Sequence, residues 1–244
     1  MAQLSSGALL FLRGDVRAAA ETVGRSYTRE QVCDGIRMVW SERPYFTPGF
    51  PLATPLEHAV RIASFDGPPT GTFPGVDADP IRSDTGELAW HRGQKGTGLV
   101  AIDTERTQGL VGFCAARKAK TRNLSAEVST RFCAIVLGAL DDRSIAKSGR
   151  LLLSAGSRVA NTGMEWNEKR TSLGNWGGEP SMIEPVRGRL VLSGLEGARR
   201  VEAQPLDGAG RPLGPPVAAA PEGEGWSLPL GNPPAPWFVL TVTR

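Results

Sequence analysis

Histidine, cysteine and long apolar runs are all scarce in this chain, and each scarcity removes a class of chemistry. Only His58 and His91 occur among 244 residues, so a multi-histidine metal site is excluded, and any Ser-His-Asp arrangement would have to use one of those two. The three cysteines, Cys33, Cys114 and Cys133, are odd in number and form no C-x-x-C pair. A disulfide framework and a thiolate zinc site are therefore disfavoured, and buried free thiols are expected. One bridge, for example Cys114 to Cys133 across neighbouring strands, stays open for an exported protein. No run reaches transmembrane length. Gly7 to Leu12 is apolar, but it passes at once into R-G-D-V-R and lacks the basic start and small-residue end of a signal peptide. A soluble protein with no membrane partner is expected. The charge of +3, from 28 Lys and Arg against 25 Asp and Glu, is spread along the chain, which argues against nucleic acid as a partner. There is no G-x-x-x-x-G-K-[ST], no strand-linked G-x-G-x-x-G and no G-x-S-x-G, so no nucleotide or other cofactor is expected.

What the chain has in excess is turn-forming residues: 30 glycines and 19 prolines, without a triplet period. With 40% hydrophobic residues it can bury one large core or two modest ones. These features predict a mainly β fold, with one or more β-sandwich regions and a short N-terminal helical segment. Residues 1–80 read as helical and Pro-rich, with two short helices at D-V-R-A-A-A-E-T-V and at T-R-E-Q-V-C-D-G-I-R-M-V-W, where Val32, Ile36 and Val39 recur at helical spacing. A third helix is expected at Thr54, capped by a T-x-x-E box with Pro55 at its first position and continuing into A-V-R-I-A. Residues 81–180 alternate short apolar or β-branched runs with polar turns and read as a β-sandwich region. Residues 181–244 read as a small immunoglobulin-like β region, with D-G-A-G-R as a turn, and a core shared with the preceding region is an open alternative.

The chemistry-bearing candidates are few. His58 on a short helix and His91 in a turn after Trp90 suit packing or surface roles. The carboxylate pairs Asp84/Glu87, Asp103/Glu105 and Glu165/Glu168 are of the residue type that hydrolyses glycosides when held about 5–9 Å apart, and solvated turns or salt bridges are the competing account. The most distinctive polar stretch runs from Ser154 to Glu179. There Trp166 and Trp176 stand among Asn, Gly, Ser and Arg, the composition of a sugar-contacting surface in which indoles stack on C–H faces and amides such as Asn161 and Asn167 reach hydroxyls. The alternative is a loop pinned to the sandwich by both tryptophans. Trp90, Trp226 and Trp237 fall in strand-like patterns and are expected in the core.

Several stretches carry a resemblance. L-L-F-L-R-G-D-V-R-A-A resembles the end of the barrel region in large bacterial TIM-barrel glycoside hydrolases. S-D-T-G-E-L-x-W, I-D-T-x-R-T-Q-G-x-x-G-F and N-T-G-M-x-W resemble the β-domains that follow such barrels. The resemblance implies glycan processing by a longer protein, with this chain as a non-catalytic accessory region whose partners are carbohydrate or a catalytic barrel domain. Residues 1–80 would then be a barrel remnant plus linker. Asn167-Glu168 matches the dipeptide of the acid/base residue in those enzymes, but it lies outside any barrel context and takes no catalytic role here. An independent carbohydrate-binding or protein-interaction module, and a small carboxylate-dependent glycosidase, are the competing functions.

Overall fold

The computed structural model describes residues 3–37, 51, 53–67, 78–116, 120–169 and 171–244. Two compact units emerge, one of Met1–Asp15 with Gly93–Arg244 and one of Val16–Arg92. The chain is mainly β, with 45% strand and 11% helix.

In the larger unit, one sheet runs in the order Val217–Ala218, Arg200–Leu206, Trp237–Thr243, Arg150–Gly156, Cys133–Ala139, Thr107–Gly112 and Leu99–Asp103. A second runs Ala220–Glu222, Gly225–Leu230, Gly188–Ser193 and Leu124–Val128. All pairings within both sheets are antiparallel. Strands from 81–180 and from 181–244 therefore share both sheets, and the alternative of a common core is the arrangement observed. Alternation explains the packing: Leu190 and Leu192, Val201 and Ala203, and Phe238, Leu240 and Val242 recur every second residue and are all buried. D-G-A-G-R turns as expected, because the Asp207 carboxylate accepts the N–H groups of Ala209 and Arg211 and Gly210 takes a φ of 78°.

Cys133–Ala139 and Arg150–Gly156 do not alternate, since nearly every residue in them is buried. Helix Leu4–Leu12 accounts for this by packing against these two strands. Its Ser6 Oγ lies 2.5 Å from Ser154 Oγ, and Gln3 donates to the Ala134 carbonyl. The chain leaving the helix is fixed by Asp15, whose side chain is wholly buried between Arg13 and Arg106 at 2.6 and 2.8 Å. Thr107 Oγ1 donates to the same carboxylate, and Arg13 donates to the Ala139 carbonyl. A buried carboxylate needs this many partners, and removing one strands a charge at a cost of about 3–5 kcal/mol.

The two sheets are joined through a polar residue, Gln108, which has no exposed surface. From its place in Thr107–Gly112 its Oε1 accepts from Thr121 Oγ1 and the Asn123 N–H, and its Nε2 donates to Asn123 Oδ1 and, more weakly, to the Thr104 carbonyl. Asn123 then donates to the Ser193 carbonyl of the second sheet. Close by, Gly112 has a φ of 135°, and a Cβ there would lie 2.4 Å from the Gly98 oxygen, so only glycine fits.

In the smaller unit, Thr22–Ser26 pairs in parallel with Ala59–Ser64, and helix Arg29–Arg37 lies between them in sequence. Ile81–Arg82 and Leu88–His91 form a hairpin. Here the sequence expectations need three corrections. D-V-R-A-A-A-E-T-V is not a helix. The S-D-T-G-E loop takes its N–H groups instead, with Asp84 accepting from Ala20 and Glu21 and Glu87 accepting from the backbone and guanidinium of Arg17. Thr54 lies inside the short helix Thr54–Glu57, which has Ala53 as its cap residue and no side-chain cap bond, and A-V-R-I-A leaves it as a strand because Thr22–Ser26 supplies a pairing edge. The reciprocal capping bonds belong to Thr28 and Gln31, which open the helix expected at T-R-E-Q. Third, His91 ends a strand rather than sitting in a turn. Val39 and most of the Pro-rich stretch lie outside the described residues.

Replacing Gln108 with Leu leaves the Asn123 N–H without its acceptor and Asn123 Oδ1 without its amide donor inside the core. Urea unfolding should show a loss of roughly 2–4 kcal/mol.

Candidate functional site

Between Gly156 and Val186 the larger unit extends an arm. Its proximal half pairs Val159–Thr162 with Gly178–Ile183, and its distal half pairs Glu165–Trp166 with Leu173–Asn175. No residue of these four strands is buried. A two-stranded ribbon without a buried face is marginal in water, so hydrogen bonds hold this one. At its base Glu184 accepts from Arg158 Nε at 2.9 Å and from Ser157 Oγ, and Ser157 also donates to the Phe132 carbonyl. The Arg158 guanidinium, then the Ser157 hydroxyl, hold the Glu184 carboxyl below its ordinary range. Above the base, Thr162 donates to the Pro180 carbonyl. Gly177, at φ 67°, passes so near Thr162 that a Cβ would sit 2.3 Å from its oxygen.

Four residues of this arm were expected to meet sugar, and they divide into two pairs. Asn161 is committed to the ribbon, accepting from Ser181 Oγ and donating to the Trp176 carbonyl. Asn167 folds the tip, with its Oδ1 accepting the Thr171 and Ser172 N–H groups and its Nδ2 donating to both hydroxyls. Trp166 and Trp176 are free of any core, 50% and 72% exposed. Neither indole is a buried pin, so the loop-anchor alternative is set aside. Glu165 and Glu168 are exposed on the same arm. Trp90, Trp226 and Trp237, expected in the core, are half-buried in their strands.

Of the remaining candidates, Asp84, Glu87, Asp103 and His58 are engaged in holding the fold. Asp103 takes the Arg122 guanidinium at 3.1 Å and its backbone N–H at 3.2 Å. His58 Nδ1 lies 3.1 Å from Asp84 Oδ2. The N–H of Glu21, that of Ala20 and the His58 contact hold the Asp84 carboxyl below its ordinary value. Among the described residues, no group of three or more His, Cys, Asp or Glu is placed to hold a metal ion, and no helix is long and apolar enough to cross a membrane. Cys114 and Cys133 are buried free thiols as expected, whereas Cys33 is exposed.

Sequence reasoning missed two surfaces. Helix Leu4–Leu12 turns Leu4, Phe11 and Leu12 outward, 68%, 81% and 80% exposed. With exposed Ala8 these follow the i, i+4, i+7, i+8 spacing of one helical face. In the smaller unit, Ile62 on the parallel pair and Phe65 just beyond it are 39% and 59% exposed. The apolar spacing of the helix was readable in L-S-S-G-A-L-L-F-L, but which side faced outward was not. No protein-family model, curated protein or solved structure matches the chain.

Trp166→Ala and Trp176→Ala should each leave the melting temperature within about 1–2 °C of the parent, since surface substitutions rarely exceed about 0.5 kcal/mol; a larger drop in calorimetry would restore the anchor role. Asp84 gives a pH prediction. Its carboxyl titrates lower in the folded than in the unfolded chain, so its contribution is complete above the unfolded value near 4 and fades as pH falls through the folded value. Melting curves from pH 7 to pH 2 should show Asp84→Asn less stable at pH 7 but with a shallower acid decline.

Proposed function

We propose that this chain is a non-catalytic accessory region of a glycoside hydrolase, buttressing a catalytic barrel and presenting an arm that contacts carbohydrate. The observation that carries this reading is the parallel pair Thr22–Ser26 and Ala59–Ser64 with helix Arg29–Arg37 between. Parallel strands linked through a helix are the repeating unit of α/β barrels, and such strands are ordinarily covered on both faces. Here Ile62 and Phe65 face water. The outward face of helix Leu4–Leu12 adds a second uncovered apolar surface, of the kind that marks a contact with another domain.

The engagement of candidate carboxylates is consistent with the role: Asp84, Glu87 and Asp103 direct their charge to backbone N–H groups and arginines, whereas a glycosidase needs two carboxylates facing one open cleft. A second reading, an independent carbohydrate-binding module, is favoured by Trp166 and Trp176, because exposed indoles are the usual platform for the apolar faces of sugar rings.

The test is a glycan-array screen of the purified chain beside a hydrolysis assay on aryl glycosides and polysaccharides. Binding without turnover, weakened roughly tenfold or more by Trp166→Ala or Trp176→Ala, is the expected result; one stacked ring is worth about 1–2 kcal/mol. Turnover abolished by a single Glu→Gln change would overturn the accessory reading. In the same preparation, the triple change Leu4→Ser, Phe11→Ser, Leu12→Ser should sharply reduce binding of an apolar dye while leaving the melting temperature near the parent value.

A further inference from the structure

We propose that Cys114 and Cys133 are a disulfide-forming pair, a covalent clasp at the ends of two neighbouring strands of the first sheet that closes when the protein meets a disulfide oxidant. This goes beyond the accessory reading and does not depend on it. Cys133 opens strand Cys133–Ala139, where it pairs with Gly112 at the end of Thr107–Gly112. Cys114 follows two residues later in the turn Cys114–Ala116. The Cys114 Sγ lies 3.6 Å from the Cys133 carbonyl oxygen and 3.8 Å from that of Leu110, so the two cysteines meet in space. Both are buried, at 3% and 0% exposure. Phe113 and Phe132, the residues before each cysteine, meet edge to face with ring centres 5.3 Å apart, which fixes the two backbones side by side.

In exchange, one of the two sulfurs, as its thiolate, displaces one glutathione thiolate from oxidised glutathione and forms a mixed disulfide. The other, losing its proton, then attacks that protein sulfur and releases the second glutathione. Two protein thiols are oxidised to one disulfide and one glutathione disulfide is reduced to two thiols, so the electrons balance. Because the sulfurs are buried, exchange needs a transient local opening that exposes them. The closed clasp ties the ends of the segment 115–132, which includes second-sheet strand Leu124–Val128, to the ends of two neighbouring strands of the first sheet. Cys33, exposed on a helix of the smaller unit, remains outside the pair.

The experiment incubates the folded full chain with oxidised glutathione, quenches in acid, and counts thiols after denaturation. Expected are a fall from two thiols to none in a Cys33-blocked sample, a mass loss of about two hydrogens, a peptide joining residues 114 and 133, and a melting temperature raised roughly 5–10 °C. In Cys33→Ser the same linkage should form and leave no free thiol. In Cys114→Ser the melting shift should vanish. Persistence of both buried thiols, glutathione attached at Cys33 alone, or a 114–133 linkage found only in urea-unfolded protein would each overturn the proposal.

Discussion

Joining the two sheets is the constraint on which the larger unit depends, and a neutral amide in the core meets it. Apolar side chains alone press two sheets together without fixing their register along the strands. Gln108 adds direction, because its carbonyl and amide ends can be satisfied only when Thr121 and Asn123 arrive at set positions, and Asn123 in turn requires the Ser193 carbonyl. A buried amide left unpaired is costly, so alternative alignments of the second sheet are penalised. The fully buried leucines around it, Leu110, Leu124, Leu190 and Leu192, supply the attraction that this geometry orients.

The same economy runs through the stretch from Ile102 to Phe113. Asp103 holds Arg122, Thr104 closes its turn with Thr107, Arg106 and Thr107 meet Asp15, and Gly112 admits the Gly98 backbone. Every polar side chain in I-D-T-E-R-T-Q thus has a structural partner except Glu105, whose backbone carbonyl instead receives the Ile145 N–H. The S-D-T-G-E loop of the smaller unit behaves alike, fastening residues 17–21 to a hairpin. Motifs that look chemical because they are polar and closely spaced are here fasteners.

Among the described residues, the large apolar side chains that stand in water include the outer face of helix Leu4–Leu12, Ile62 and Phe65, and the two indoles of the arm. The arm gains its shape from hydrogen bonds within itself and at its base. Its tryptophans can therefore change without affecting a core, and both stay exposed. The helix meets its own sheet through polar contacts at Ser6 and Gln3 beside half-buried Leu9 and Leu10, yet it also turns an apolar face to solvent.

By itself the sequence determined the strand-rich class and the Asp207 turn, because period-2 alternation and turn chemistry act over a few residues. It also singled out the arm by its polar composition. Only tertiary structure decided that strands on both sides of residue 180 interleave in common sheets, since pairing partners are chosen by distant edges. Tertiary contacts likewise overrode local propensity at residues 15–23 and 59–63, where carboxylates of a remote loop and a parallel strand captured backbone that would otherwise coil into helix. The same distance effect settled the roles at the arm: Asn161 and Asn167 turn inward because the ribbon offers them partners, and Trp166 and Trp176 stay outside because no apolar neighbour from elsewhere in the chain arrives to cover them.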